Sequence, residues 1–167
     1  MFAKYKSHDN SLYNKLVELS RNIFFYENLL LKDNFITRIN LIFIHFSIIL
    51  ILFNSRNKDK FPQKIFDNIF LNIEYHLREI GHGDVVVNKK MKSLTRIFYD
   101  ILIKMDKDNI KSFNMNENIL KKYLEPEFSN DNEFIAKLSA YFENFYNFCF
   151  VLEDNIVLKG QINFKYK

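Results

Sequence analysis

The side chains with most chemistry to offer are four histidines, one cysteine and a run of cations. The histidines are His8, His45, His76 and His82. His76 and His82 stand six apart across a predicted helix end, a spacing that matches no common zinc pair. His45 lies in an apolar run, where a lone histidine reads first as a hydrogen-bonded core residue. Cys149 is the only cysteine, so no intramolecular disulfide can form. Flanked by Phe145, Phe148 and Phe150, it is expected to pack as a small hydrophobe. Glu79 and Asp84 could work as an acid–base pair, but such pairs arise by chance in a chain with 20 acidic residues. Gly81-His82-Gly83 lacks the spacing of a phosphate-cradling loop. The expectation is therefore no metal, no cofactor and no catalysis.

Cations say more. Lys89, Lys92 and Arg96 are three and four residues apart, which places them on one helix face, with Lys90 on its flank. No Asp or Glu falls between Val85 and Tyr99. The net charge of the whole chain is only +4, so the local field there is far stronger than the sum suggests. Such a face is either ordinary solvated surface or a seat for lipid phosphates, RNA or an acidic protein. The signatures of zinc fingers and of the common RNA-binding modules are absent, and DNA is not expected as a partner.

These residues need elements to hold them. Two of the three glycines, Gly81 and Gly83, fall in one turn; the third is Gly160. Gly81 is predicted to stop a helix and Gly83 to be a second tight backbone position. Asp84 is expected to cap the next helix through its free N–H groups. Arg78 is expected to satisfy carbonyls at the end of the preceding one. Upstream, Phe66, Ile69, Phe70, Ile73, Leu77 and Ile80 predict a helix over 62–80. Downstream, Val87, Met91, Leu94, Phe98, Ile101 and Met105 predict another over 87–105.

In 167 residues, with 48% hydrophobic content and only three Gly and two Pro, the architecture predicted is all-α. It is a single domain of five to six helices packed around a central apolar helix at 39–53. That rod is too short and too interrupted by Asn40, His45 and Ser47 to read as a membrane span. The other expected helices run from Asp9 or Ser11 to about Leu30, from an Asn114–Glu117 capping box to Leu124, and from an Asp131 cap to Leu152. Glu125-Pro126 should end the second of these. Residues 1–10 are read as a loose arm, 11–155 as the helical domain and 156–167 as an extended tail. Consecutive rings at Phe24-Phe25-Tyr26, and Phe142, Phe145, Tyr146, Phe148 and Phe150 around the last helix, cannot all face one core. Some are expected to line a groove or a surface.

At the glycine turn the sequence resembles the ubiquinol–cytochrome c chaperone family, assembly factors of the cytochrome bc1 complex. The resemblance is carried by Leu77-Arg78-Glu79, Gly81-His82-Gly83-Asp84, Val87, Lys89, Lys90, Met91, Lys92 and Phe98-Tyr99, in that order. Phe66-Asp67, and Tyr13, Arg21, Phe25-Tyr26, Asp33, Arg38 and His45 in the first two helices, are similar as well. It covers about residues 11–105. Lys32 and Thr37 depart from a Pro and a Gly common in the family, and Asp100-Ile101 from a Gly-Arg.

The resemblance implies a non-enzymatic chaperone whose client is newly made cytochrome b. It further implies contact with the ribosome or an anionic membrane surface, and a small assembly partner. Without the long leading segment of mitochondrial members, a bacterial protein is expected, cytoplasmic and peripheral to the inner membrane, rather than one on the mitochondrial matrix side. Partner contact is assigned to Arg78, Glu79, Gly81, Gly83, Asp84, Lys89, Lys90, Lys92 and Arg96, with Phe25 and Tyr26. The competing reading is a small-molecule carrier or enzyme with a pocket in the helical core, worked by His45 or His82.

Overall fold

The computed structural model describes residues 10–105, 107–108, 110–124 and 132–167. Among the described residues seven α-helices follow one another: α1 Ser11–Ser20, α2 Phe35–Arg56, α3 Gln63–Glu79, α4 Asp84–Lys104, α5 Glu117–Tyr123, α6 Asn132–Phe150 and α7 Asp154–Leu158. A π-helical turn, Phe24–Asn28, lies between α1 and α2. Among the described residues there is no strand. The caps expected at Asp9 and Asp131, the arm at 1–9 and the Glu125-Pro126 stop lie outside the described residues.

Helix α2 is the axle. Asn34 caps it, its side chain accepting from the Thr37 N–H at 2.9 Å. Every residue from Ile39 to Leu52 is then buried, on all sides of the helix. It touches α1, α4 and α6. By length and composition α2 could cross a membrane, but 78% of its apolar window is buried inside the protein. The helix is a core rod that runs three residues past the C-terminal end of the apolar run. Its extra turn has a purpose in the fold. Arg56 reaches over the C-terminus of α6 and donates to the carbonyls of Leu152 (2.8 Å), Cys149 (3.2 Å) and Phe150, and to Asp154. A cation placed on orphan carbonyls at a helix end satisfies them and complements the dipole.

The first helix ends at Ser20, ten residues before the expected stop. Side chains compete with the helical backbone there: Ser20 Oγ donates to the Val17 carbonyl, and Asn22 Oδ1 accepts from the Phe24 N–H. The π-turn that follows turns both Phe24 and Phe25 inward. Leu30 closes this segment at φ +53. At α5 the cap is Asn116, accepting from the Asn118 N–H, and the Asn114–Glu117 box does not form. Asp154 starts α7, so 156–158 are helical where an extended tail was expected. Residues 159–167 are irregular, with Ile162 buried and Phe164 and Tyr166 packed on the core.

Most of the rings expected at a groove or surface are instead core, and among them Phe150 alone is exposed. Tyr141, Phe142, Phe145 and Tyr146 all lie buried on α6. They can be because α6 is covered on several sides: by α2 and α5, by the loop carrying Phe113, and by the Phe164–Tyr166 segment. Helices α3 and α4 close the far side of α2, where the Phe98 ring stands 5.2–5.7 Å from Phe43, Phe46, Phe66 and Phe70.

Candidate docking face

Backbone geometry fixes the corner between α3 and α4. The His82 N–H donates to the Leu77 carbonyl (3.3 Å) and the Gly81 N–H to the Arg78 carbonyl (3.0 Å). With Gly81 at φ +100, this is the Schellman arrangement, in which a left-handed residue turns the chain out of a helix. Gly83 is different. It is the extended N-cap of α4, at φ −77 and ψ 168, and a Cβ there would meet nothing within 4 Å. The second tight backbone position expected at Gly83 does not exist.

Because the turn's own N–H groups satisfy the carbonyls of α3, Arg78 is free for something else. It pairs with Asp84 and, at 3.0 Å, with Glu74. Those partners, Asp84 foremost, push its pKa up further. The cap bond expected of Asp84 is absent: its carboxylate clasps α3 instead, while its place in the first turn still favours the α4 dipole. Glu79 is exposed, 3.9 Å from His76 Nδ1, and the His76 ring lies flat on Phe35 at 5.3 Å.

Beyond the corner, Lys89, Lys90, Lys92 and Arg96 all point to solvent. Among the described residues none of them has a carboxylate within ion-pair distance. The only acidic residues of α4 are Asp84 and Asp100, and both are engaged. Asp100 accepts from Lys104 (2.8 Å), Lys122 (2.9 Å) and the Tyr123 hydroxyl, which together hold its carboxyl far below the usual range. Burial and that carboxylate push the Tyr123 hydroxyl up to about 12. Beside the cations stand exposed apolar side chains: Ile80 (51%), which the α3 stripe was expected to include but which lies past the helix end, and Val85 (83%), Val86 (44%), Tyr99 (45%) and Ile103 (70%). The signal for them was in the spacing. Positions 85, 89, 92, 96, 99 and 103 repeat at four and three, opposite the core stripe.

Phe25 does not reach this face or any other. It is fully buried, its ring 4.6 Å from Tyr141 and 6.2 Å from both His45 and Phe142. The π-turn rotates it inward, so it holds the scaffold and touches no partner. Tyr26 is half-buried and donates to the Ser20 carbonyl at 2.6 Å. Burial raises its pKa, opposed by Arg38. Arg21 acts electrostatically on both Tyr26 and Tyr13, and Glu79 on Tyr13.

His45 has no free nitrogen to work with. Nδ1–H donates to the Leu41 carbonyl (2.7 Å), which leaves Nε2 to accept from the Tyr141 hydroxyl (2.9 Å). Four rings, those of Phe25, Tyr141, Phe142 and Phe145, surround it. Burial pulls its pKa down to about 4, so it stays neutral at physiological pH. This removes His45 from the carrier or enzyme reading. Burial likewise pushes the Cys149 thiol up to about 12, the inert core thiol expected. Among the described residues no three His, Cys, Asp or Glu side chains converge as a metal site.

The helical body thus carries a fixed corner and, among the described residues, a cationic ridge with no carboxylate in ion-pair distance. The chain belongs to the ubiquinol–cytochrome c chaperone family, whose sequence profile matches residues 27–162. The match runs through α5, α6 and α7, well past the 11–105 segment on which the sequence resemblance rests. Among solved structures, the crystal structure of the Cbp3 homolog from Brucella abortus is similar at a TM-score of 0.68 and 22% identity, over 96% of this chain and 90% of that one. At that identity the likeness speaks for the fold. No curated protein matches the sequence.

Proposed function

We propose that the protein is a non-enzymatic assembly chaperone that holds newly made cytochrome b until it joins the cytochrome bc1 complex. Family membership supports the class of function. The observation that carries the reading is the exposed apolar group Ile80 and Val86, set on a rigid corner beside Lys90. Exposed aliphatic side chains on a fixed elbow can shelter an apolar client segment that has not yet found its neighbours. The flanking lysine can meet the polar end of such a segment. Because the turn is locked by the Schellman bonds and by the Arg78–Asp84 pair, the surface is preformed and loses little entropy on binding.

On this reading the protein works on the cytoplasmic side of a bacterial inner membrane. Ribosome contact and a small assembly partner remain compatible partners of the same end of the bundle. The test is recovery of cytochrome b with the tagged protein from detergent extracts, where no bilayer remains. Ile80→Asp with Val86→Asp should reduce recovery at least fivefold while the circular dichroism spectrum keeps its helical shape. Recovery equal to that of the parent protein would count against the corner as the client site.

A further inference from the structure

We infer that the outward crest of α4 seats the protein on an anionic lipid bilayer. The inference takes from the reading above only the placing of the protein at a membrane.

The crest is Val85, Lys89, Lys92, Arg96, Tyr99 and Ile103. Their spacing brings all six onto one line about 27 Å long, at 1.5 Å per residue, diametrically opposite the buried Val87, Leu94, Phe98 and Ile101. All six are exposed. The order along the line is apolar, three cations, aromatic, apolar. Among the described residues no carboxylate opposes the cations, since Asp84 is held by Arg78 and Asp100 by Lys104 and Lys122.

Each possible occupant makes a different demand of this line. A second copy of the chain laid antiparallel would press Lys89, Lys92 and Arg96 against the same three cations. RNA would use the cations and leave Val85 and Ile103, the two most protruding apolar side chains of α4, without a role. A bilayer surface uses every member. Phosphates meet the central cations, aliphatic stems of lysine and arginine lie along the acyl boundary, and Val85 and Ile103 dip below the headgroups at either end. A tyrosine at that level is favoured by its amphipathic ring. The flank carrying Val86 and Lys90 then faces sideways along the membrane, where a membrane protein's segments emerge.

Flotation of the purified full chain with lipid vesicles tests this without any client present. Vesicles of phosphatidylcholine with about one third phosphatidylglycerol should carry the protein at low salt, and pure phosphatidylcholine should not. Each basic residue at an anionic surface is worth about fivefold in binding. Lys89→Glu, Lys92→Glu and Arg96→Glu together should therefore weaken association at least tenfold. Val85→Asn with Ile103→Asn, which leaves the charge untouched, should weaken it several-fold. Parent-like binding by the charge variant, or equal binding to both vesicle types, overturns the inference. Parent-like binding by the apolar variant also overturns it, and points to a soluble polyanion such as RNA. Because client recovery is measured in detergent, either result leaves that reading where it stood.

Discussion

At the scale of single residues, two glycines two positions apart have opposite tolerances. Gly81 sits at φ +100, a region that costs an L-residue about 1 kcal/mol or more. Gly83 sits at an ordinary extended φ with open space around it, and serine is a better N-cap than glycine. Thermal unfolding should therefore find Gly81→Ala destabilised by about 1 kcal/mol and Gly83→Ser slightly stabilised, by a few tenths. Gly160 is more demanding than either. It has φ +68, and a Cβ there would lie 2.7 Å from the Ser11 carbonyl carbon. Main chain cannot yield as a side chain can, so Gly160→Ala should cost more than about 2 kcal/mol.

His45 carries a pH dependence. Its folded pKa, about 4, lies below its unfolded value of 6.5. Above pH 6.5 both states are neutral and the residue adds no slope. As pH falls toward 4 the unfolded chain takes up a proton that the folded core refuses, so stability declines across that window. Between pH 7 and 5 this amounts to about 2 kcal/mol. His45→Gln should lose that part of the slope in denaturant titrations at the two pH values; an unchanged slope would show that His45 protonates in the folded state.

At the scale of elements, what the sequence revealed followed the regularity of the pattern. The stripes of α3 and α4 were legible because every third or fourth residue is apolar over nearly twenty positions. So was the rod at 39–53, whose apolar run has no polar face at all. The break after Ser20 was not legible. It depends on Ser20 and Asn22 choosing backbone partners over helix, and the hydrophobic spacing runs on unbroken to Tyr26. Nor was α7, whose five residues are too few to show a period. The clasp of Arg56 on α6 also escaped, since it joins residues nearly a hundred positions apart. Removing it takes the guanidinium donor from the Phe150 and Leu152 carbonyls and leaves Cys149 only the Leu152 N–H. Arg56→Ala should cost about 2–3 kcal/mol, while Arg56→Lys, a point charge without the planar fork, should recover only part of that.

At the scale of the whole molecule, the aromatic count misled and the charge pattern did not. Nineteen Phe and nine Tyr seemed more than one interior could use, and a ring-lined groove or surface was the natural inference. Most of the rings fill the core because α6 is wrapped on several sides, a fact of topology that periodicity cannot supply. The cations of α4 are as exposed as their spacing requires, and no carboxylate among the described residues neutralises them. The apolar company they keep was legible too, since Val85, Tyr99 and Ile103 share the cations' spacing, opposite the core stripe. The surface that results is divided by direction: a crest of alternating character on one line, and the corner with Ile80, Val86 and Lys90 to its side.

The central claim is that this corner receives the client. Its most direct measurement is photo-crosslinking in cells from a probe placed at Val86 and, separately, at Lys58 on the distant α2–α3 connection. A cytochrome b adduct from position 86 and none from position 58 is the predicted result. Adducts of equal yield from both positions, or from position 58 alone, would contradict it.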